Sequence, residues 1–332
     1  MKKKKKSSCH EHKCELIGYD ALPDFLKHNE FILDYYRSEW PLKEAFLSIF
    51  SIHNETLNVW THLIGFFLFL SLAILTATMV PTSASTPNPQ QLITNVSNST
   101  FTRHNYNGLT TITVLPTAAD AADAMKTTTN ASARWPFYAY MGGAMFCLLM
   151  SSACHLLSCH SARACYVLLR LDYAGIAALI VTSFYPLVYY SFACDPLARS
   201  VYVGLITAVG AAVVVVSLTP AFERPHFRQA RAALFACMGL SGLVPILHKV
   251  AVYGDRPEAM AATAYEMGMG ACYAIGVALY AARVPERWMP GMFDIAGHSH
   301  QLFHVLVIAG AYCHYLAGLV YLRWRDVDGC LL

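Results

Sequence analysis

The chain has 332 residues, of which 56% are hydrophobic and only 14% charged, with a mean hydropathy of +0.40. A soluble domain carries roughly 25% charged residues, so the composition excludes an ordinary soluble protein and points to a membrane protein. The net charge of +3 accompanies no phosphate-cradling loop and no nucleic-acid module.

Residues 1–54 are polar and amphipathic, without the apolar core of a secretory signal peptide. They read as an N-terminal tail and amphipathic segment, with the Lys2–Lys6 run either solvated or held to anionic lipid at about 1 kcal/mol per Lys. Cys9, His10, His12 and Cys14 of "CHEHKC" lie beside that run and read as part of a disordered tail rather than a metal site. Lys2 stands where an N-myristoylated chain has glycine, and Cys330, third from the end, does not fit prenylation. Runs of about 20 apolar residues suit a bilayer core roughly 30 Å thick. Seven are found, at about 57–80, 136–158, 165–192, 199–220, 230–250, 262–283 and 301–322. Runs this long and continuous satisfy their backbone in lipid as helices. The expected fold is an all-α bundle of seven transmembrane helices over residues 55–325, followed by a short tail at 326–332. Pro186 and Pro245 fall inside spans, where a kink is tolerable.

An odd number of spans places the termini on opposite sides. Sixteen Lys and Arg fall on the side of the N-terminus, nine of them before residue 54, against eight on the other. The positive-inside rule then puts the N-terminus in the cytoplasm, inverse to the G-protein-coupled receptor arrangement. The segment 81–135 agrees: rich in Ser, Thr, Asn and Pro, it reads as a long outer loop without regular structure. It carries the acceptor triplets at Asn95, Asn98 and Asn130, which are modified only on the outer or lumenal face. The eleven Cys lie mainly in spans or at the tail, and no pair reads as an outer disulfide framework.

With this orientation, His300 and His304 begin the seventh helix at its cytoplasmic end, on one face by their i, i+4 spacing. The second helix ends there with "SSACHLLSCH", bringing His155 and, one turn earlier, Ser151. In the third, "LRLDYAG" places Asp172 about two turns in, and Arg170 faces away from it. Ionisable groups at membrane depth face a bundle interior or a polar cavity. Three imidazoles with an oxygen donor suit tetrahedral Zn²⁺ with a water in the last position; a hydrogen-bonded histidine network is the alternative. His62 in the first helix reads as packing or as a neighbour that supports the ligands, Glu266 as facing a polar cavity near the outer end of the sixth, and His298 as a solvated interfacial residue.

The stretches "NETLNVWTHLIG" at 54–65, Ser151-x-x-x-His155, "LDYAGI" at 171–176 and "PERWMPGMFDIAGHSHQLFHVL" at 285–306 together resemble the progestin and adipoQ receptor family. Within it the chain is most similar to plant heptahelical proteins related to adiponectin receptors, over about residues 30–325. The resemblance implies that His155, His300 and His304 are zinc ligands, that Asp172 holds the metal's water, and that Ser151 sits beside the site. The long polar first outer loop departs from the family pattern. The resemblance also implies a receptor-like protein in hormone, lipid or stress signalling. Its partner is an extracellular ligand or a lipid such as ceramide, whose amide a zinc site with an Asp base is suited to hydrolyse. Gln301 stands where the metalloprotease H-E-x-x-H has its glutamate, so peptide hydrolysis is not expected.

Overall fold

Each apolar run in the sequence is a helix in the computed structural model, which describes residues 14–79, 101–105, 108–112, 132–219, 227–328 and 330. A short helix α1 (Leu42–Leu47) precedes the first span, α2 (Thr56–Met79). The second to fourth spans are α3 (Trp135–Leu157), α4 (Ala162–Ser191) and α5 (Pro196–Ser217). The fifth is divided between α6 (Arg228–Leu240) and α7 (Leu243–Tyr253). The break falls at Ser241-Gly242, just before Pro245, whose ring cannot continue the hydrogen-bond ladder. The sixth span is α8 (Pro257–Ala282) and the seventh α9 (Ser299–Asp328). Six of the spans are long and apolar enough by composition alone to cross a membrane. In α8, Gly, Tyr and Glu266 dilute the apolar run, but its 26 residues at about 1.5 Å each are long enough to cross.

The spans close into a ring in chain order, with α9 returning to α2 and touching α4 across the interior. Half of the membrane windows of α3 and α9 is buried, against 22–28% in the other helices of comparable hydropathy. These two helices form the middle of the bundle, and both carry the histidines picked out above. The apolar core joins Phe69 of α2, Phe137, Tyr140 and Met141 of α3, Leu187 and Val188 of α4, and Ala311, Tyr315 and Tyr321 of α9.

The 81–135 segment is not wholly irregular. It contains an antiparallel pair, β1 (Phe101–Asn105) and β2 (Gly108–Ile112), with Phe101 opposite Ile112 and Asn105 opposite Gly108. The β-branched Thr102, Thr110, Thr111 and Ile112 favour extended backbone, a signal masked by the polar composition around them. Lys2–Lys6, residues 9–13 of the Cys/His cluster and the triplets at Asn95, Asn98 and Asn130 lie outside the described residues.

We refer to the end of the bundle at which α2 begins as the near end. Residues 17–37 form a strap there. An isolated bridge pairs Ile17 with Tyr36, and Leu22, Leu26, Ile32 and Tyr36 make a small apolar cluster. The strap is sewn to the loop between α8 and α9. Asp294 accepts the amides of Leu33 and Asp34 at 2.9 and 3.0 Å, Gly291 donates to the Phe31 carbonyl at 3.1 Å, and Arg283 pairs with Glu30.

Three arginines close helix C-termini, where unsatisfied carbonyls and the negative end of the helix dipole favour a cation. Arg37 of the strap donates to the carbonyls of His155 and Leu156 at the end of α3, at 2.8 and 2.9 Å. Arg170 donates to Leu218 after α5 at 3.0 Å and stacks on Tyr166. At the far end, Arg325 donates to Tyr190 and Ser191 at the end of α4, at 2.5 and 2.8 Å.

Two far-end findings differ from expectation. Glu266 does not face a cavity: it pairs with Lys249 of α7 at 2.5 Å with both side chains fully buried. Tyr321 of α9 completes the group, accepting from Lys249 at 2.7 Å and donating to Glu266 at 2.5 Å. Cys194, in the turn between α4 and α5, is disulfide-bonded to Cys330, 136 residues later. The two are distant in sequence, and only the return of α9 beside α4 brings their Cα atoms to 5.4 Å.

Candidate metal centre

The second span runs toward the near end and the seventh away from it, so the last turn of α3 meets the first turns of α9. The imidazoles of His155, His300 and His304 each offer a nitrogen, and these atoms all lie within 4.8 Å of one another. The ring centroids of the three are 4.7–5.0 Å apart, in edge-to-face arrangements. His304 is buried and the other two are partly so.

The donor set suits a metal ion. His155 Nε2 is buried without a hydrogen-bond partner, an arrangement that costs free energy unless something coordinates the nitrogen. Its other nitrogen, Nδ1, is 2.8 Å from Glu55 Oε2. Thr61 Oγ1 lies 3.3 Å from His304 Nδ1. That hydroxyl gives its hydrogen to the Leu57 carbonyl at 2.7 Å, so its oxygen is left to accept from the imidazole. With Nδ1 engaged in both rings, Nε2 is the nitrogen each has left to offer a metal.

Asp172 and Ser151 are brought together beside this set. The Asp172 carboxyl lies close enough to Ser151 and to His155 to interact electrostatically with both. Gly175 is the reason the two helices come so close: a Cβ there would sit 2.9 Å from the Cys147 Cα on α3. Asp172 is one turn before Gly175 and Ser151 one turn after Cys147, so in antiparallel helices they face each other. Arg170, as expected from its spacing, is engaged elsewhere.

His62 is buried and stacked on His304, centroids 3.5 Å apart and planes 13° from parallel, and it is not one of the converging ligands. His298, expected in solvent, is only 5% exposed. Glu286 from the α8–α9 loop and Asn54 and Glu55 before α2 lie around it, and burial holds its pKa below the ordinary histidine value.

Sequence reasoning passed over the residues that hold the ligands. Glu55 precedes α2 and receives Asn58 Nδ2 at 2.5 Å as well as His155. Its spacing to Asn58 and His62, i, i+3 and i+7, places all three on one helical face, which was the available signal. Glu286 accepts the Ser299 amide at the start of α9 at 2.8 Å, the Ser299 hydroxyl, and Asn29 Nδ2 at 3.1 Å. Burial alone would raise the Glu286 carboxyl, but these bonds from Ser299 and Asn29 keep its pKa below the usual value. Gly297, at a φ of +90°, makes the left-handed turn into α9 that a Cβ would strain.

The Haemolysin-III related family matches residues 50–315, a range that takes in all three histidines. Heptahelical transmembrane protein 4 of Arabidopsis thaliana is 53% identical, over 96% of this chain and 91% of its own. Heptahelical transmembrane protein ADIPOR3 of Oryza sativa subsp. japonica is 50% identical, over 95% and 92% respectively. The Adiponectin receptor protein of Drosophila melanogaster is 36% identical over 91% of this chain and 58% of its own. Seven spans, a near-end histidine cluster and these likenesses agree: the chain belongs to the Haemolysin-III related, or progestin and adipoQ receptor, family and is a multi-pass, adiponectin-receptor-like membrane protein.

Proposed function

We propose that the near-end histidines hold zinc, that the near end faces the cytoplasm, and that this receptor-like protein hydrolyses a lipid amide such as ceramide. The observation that carries the reading is the convergence of three imidazoles from two helices beside the Asp172–Ser151 pair. Bound zinc supplies a Lewis acid, which lowers the pKa of a coordinated water to about 7. The chain's own residues supply the rest. Asp172, oriented by the Ser151 hydroxyl, accepts a proton from the attacking water. The water oxygen adds to the amide carbon, the carbon–nitrogen bond breaks, and the proton passes to the departing amine. His155, His300 and His304 remain neutral nitrogen donors throughout.

The second reading is a signalling receptor in which zinc is structural. It is favoured by the fact that the ligands join α3 to α9, the two most buried of the hydropathic spans. Metal analysis and ceramide turnover on purified protein separate the two. The parent is expected to carry one zinc, and His300→Ala to lose both metal and turnover. Parent-like zinc in the variant overturns the ligand assignment. A zinc-loaded parent that hydrolyses no lipid amide leaves the structural reading.

The orientation draws support from the cysteines. At the near end Cys154 and Cys159 are free thiols, whereas Cys194 and Cys330 at the far end are bonded. Disulfides persist in oxidising compartments, which suits a far end turned away from the cytoplasm. Asn54 is 5% exposed and is expected to stay unmodified, as is an Asn-Gly-Thr acceptor appended to the N-terminus. Endoglycosidase-sensitive modification of that appended acceptor would overturn the orientation.

A further inference from the structure

The three histidines come from α3 and α9, yet the groups that orient them come from the chain before and at the start of α2. Glu55 Oε2 meets His155 Nδ1 at 2.8 Å, Thr61 meets His304 Nδ1, and Arg37 anchors the backbone carbonyls of His155 and Leu156. Glu55 is itself fixed. Asn58 donates to the same Oε2 at 2.5 Å. The Glu55 amide donates to His53 Nδ1 at 3.1 Å, and the His53 ring is held in turn by the Ser48 carbonyl at 3.2 Å.

A carboxylate accepts hydrogen bonds and donates none when ionised. Facing Nδ1, it requires that nitrogen to carry the hydrogen, which leaves Nε2 as the lone-pair donor. That is the nitrogen of His155 found buried without a partner. Metal-bound histidines commonly pass their second N–H to a carboxylate, which fixes the ring and raises its basicity. We infer that Glu55 is a positioning residue of the metal centre: it sets the Nδ1–H form of His155, aims Nε2 at the ion, and makes α2 a part of the site though it supplies no ligand. The inference rests on the metal reading proposed above.

Cobalt(II) binding to the purified full-length protein in detergent, followed by its visible d–d absorption, tests it. Glu55→Met preserves length but offers no acceptor, and is expected to bind cobalt roughly 10–100-fold more weakly with a shifted absorption band. Glu55→Gln keeps an acceptor oxygen and is expected to recover most of the affinity and the parent band. A merely structural role would not distinguish the two spectra. Parent affinity and spectrum in Glu55→Met overturn the inference, as does a Glu55→Gln protein no better than Glu55→Met. Should Glu55→Met fail to fold, nitrogen-15 resonances of selectively labelled His155 in the parent decide: a hydrogen on Nε2, or metal on Nδ1, overturns it. His300→Ala serves as the control. Loss of cobalt there with full binding in Glu55→Met sinks only the Glu55 role, whereas full binding in both sinks the metal reading itself.

Discussion

Asp172→Asn is expected to slow lipid-amide hydrolysis by about 10²–10⁴-fold, the usual worth of a general base, while zinc content and folding stay close to the parent. Asparagine keeps the shape of the side chain and an oxygen to receive the Ser151 hydroxyl, but it cannot take a proton. The effect on metal is small because Asp172 is absent from the converging ligand set, which is three histidines. Arg170, two residues away along α4, is always charged and cannot serve as a base, and it is tied to Leu218 and stacked on Tyr166. Turnover and zinc stoichiometry measured on the same preparations decide the matter. Parent-like turnover refutes the base assignment. Loss of zinc together with turnover would mean that Asp172 supports the ion rather than the proton transfer.

The second large effect lies at the opposite end of the bundle and concerns stability. Lys249→Met is expected to destabilise the protein by about 3–5 kcal/mol, the cost of leaving a buried charge without its partner. Lys249 and Glu266 are both fully buried, and Tyr321 can satisfy only one of the carboxylate oxygens. A second substitution should return most of the loss: in Lys249→Met with Glu266→Gln no charge remains, and the glutamine can still accept from Tyr321. Thermal unfolding in detergent, followed by exposure of buried cysteines to a thiol dye, measures both. Additive losses in the double variant would show that the pair is not coupled.

Much of this arrangement was legible in the sequence, and the parts that were not share a physical cause. Apolar run length is a local property, so the seven spans could be read directly. So could the convergence of the three histidines: His300 and His304 share a helical face by spacing, and the alternating direction of the spans brings His155 to the same depth. That Asp172 and Ser151 face each other follows from the Asp-x-x-Gly spacing of "LDYAG" once Gly175 is taken as a close approach to Cys147. The supporting residues depend instead on pairings across a hundred positions or more. Glu55 reaches His155, Arg37 the end of α3, and Asn29 reaches α9 through Glu286. Apart from the spacing of Glu55 to Asn58 and His62, none has a local signature. His298 was misplaced for the same reason, because Asn54 and Glu55, which lie near it, are more than 240 residues away in the chain. Lys249 and Glu266 each look costly in a span, and only the adjacency of α7 and α8 resolves both at once.

The bond between Cys194 and Cys330 gives the chain an internal clock. Its partners bracket α5 to α9, and the second cysteine is synthesised only after α9 is complete. The link therefore cannot form while any of the final four spans is still being synthesised or inserted. An oxidised pair marks molecules whose membrane insertion is finished, and a free Cys194 marks those still under assembly. Its closure turns residues 194–330 into a covalent ring, so a single cut in the stretch between α5 and α6 would leave both pieces joined until a reductant is added.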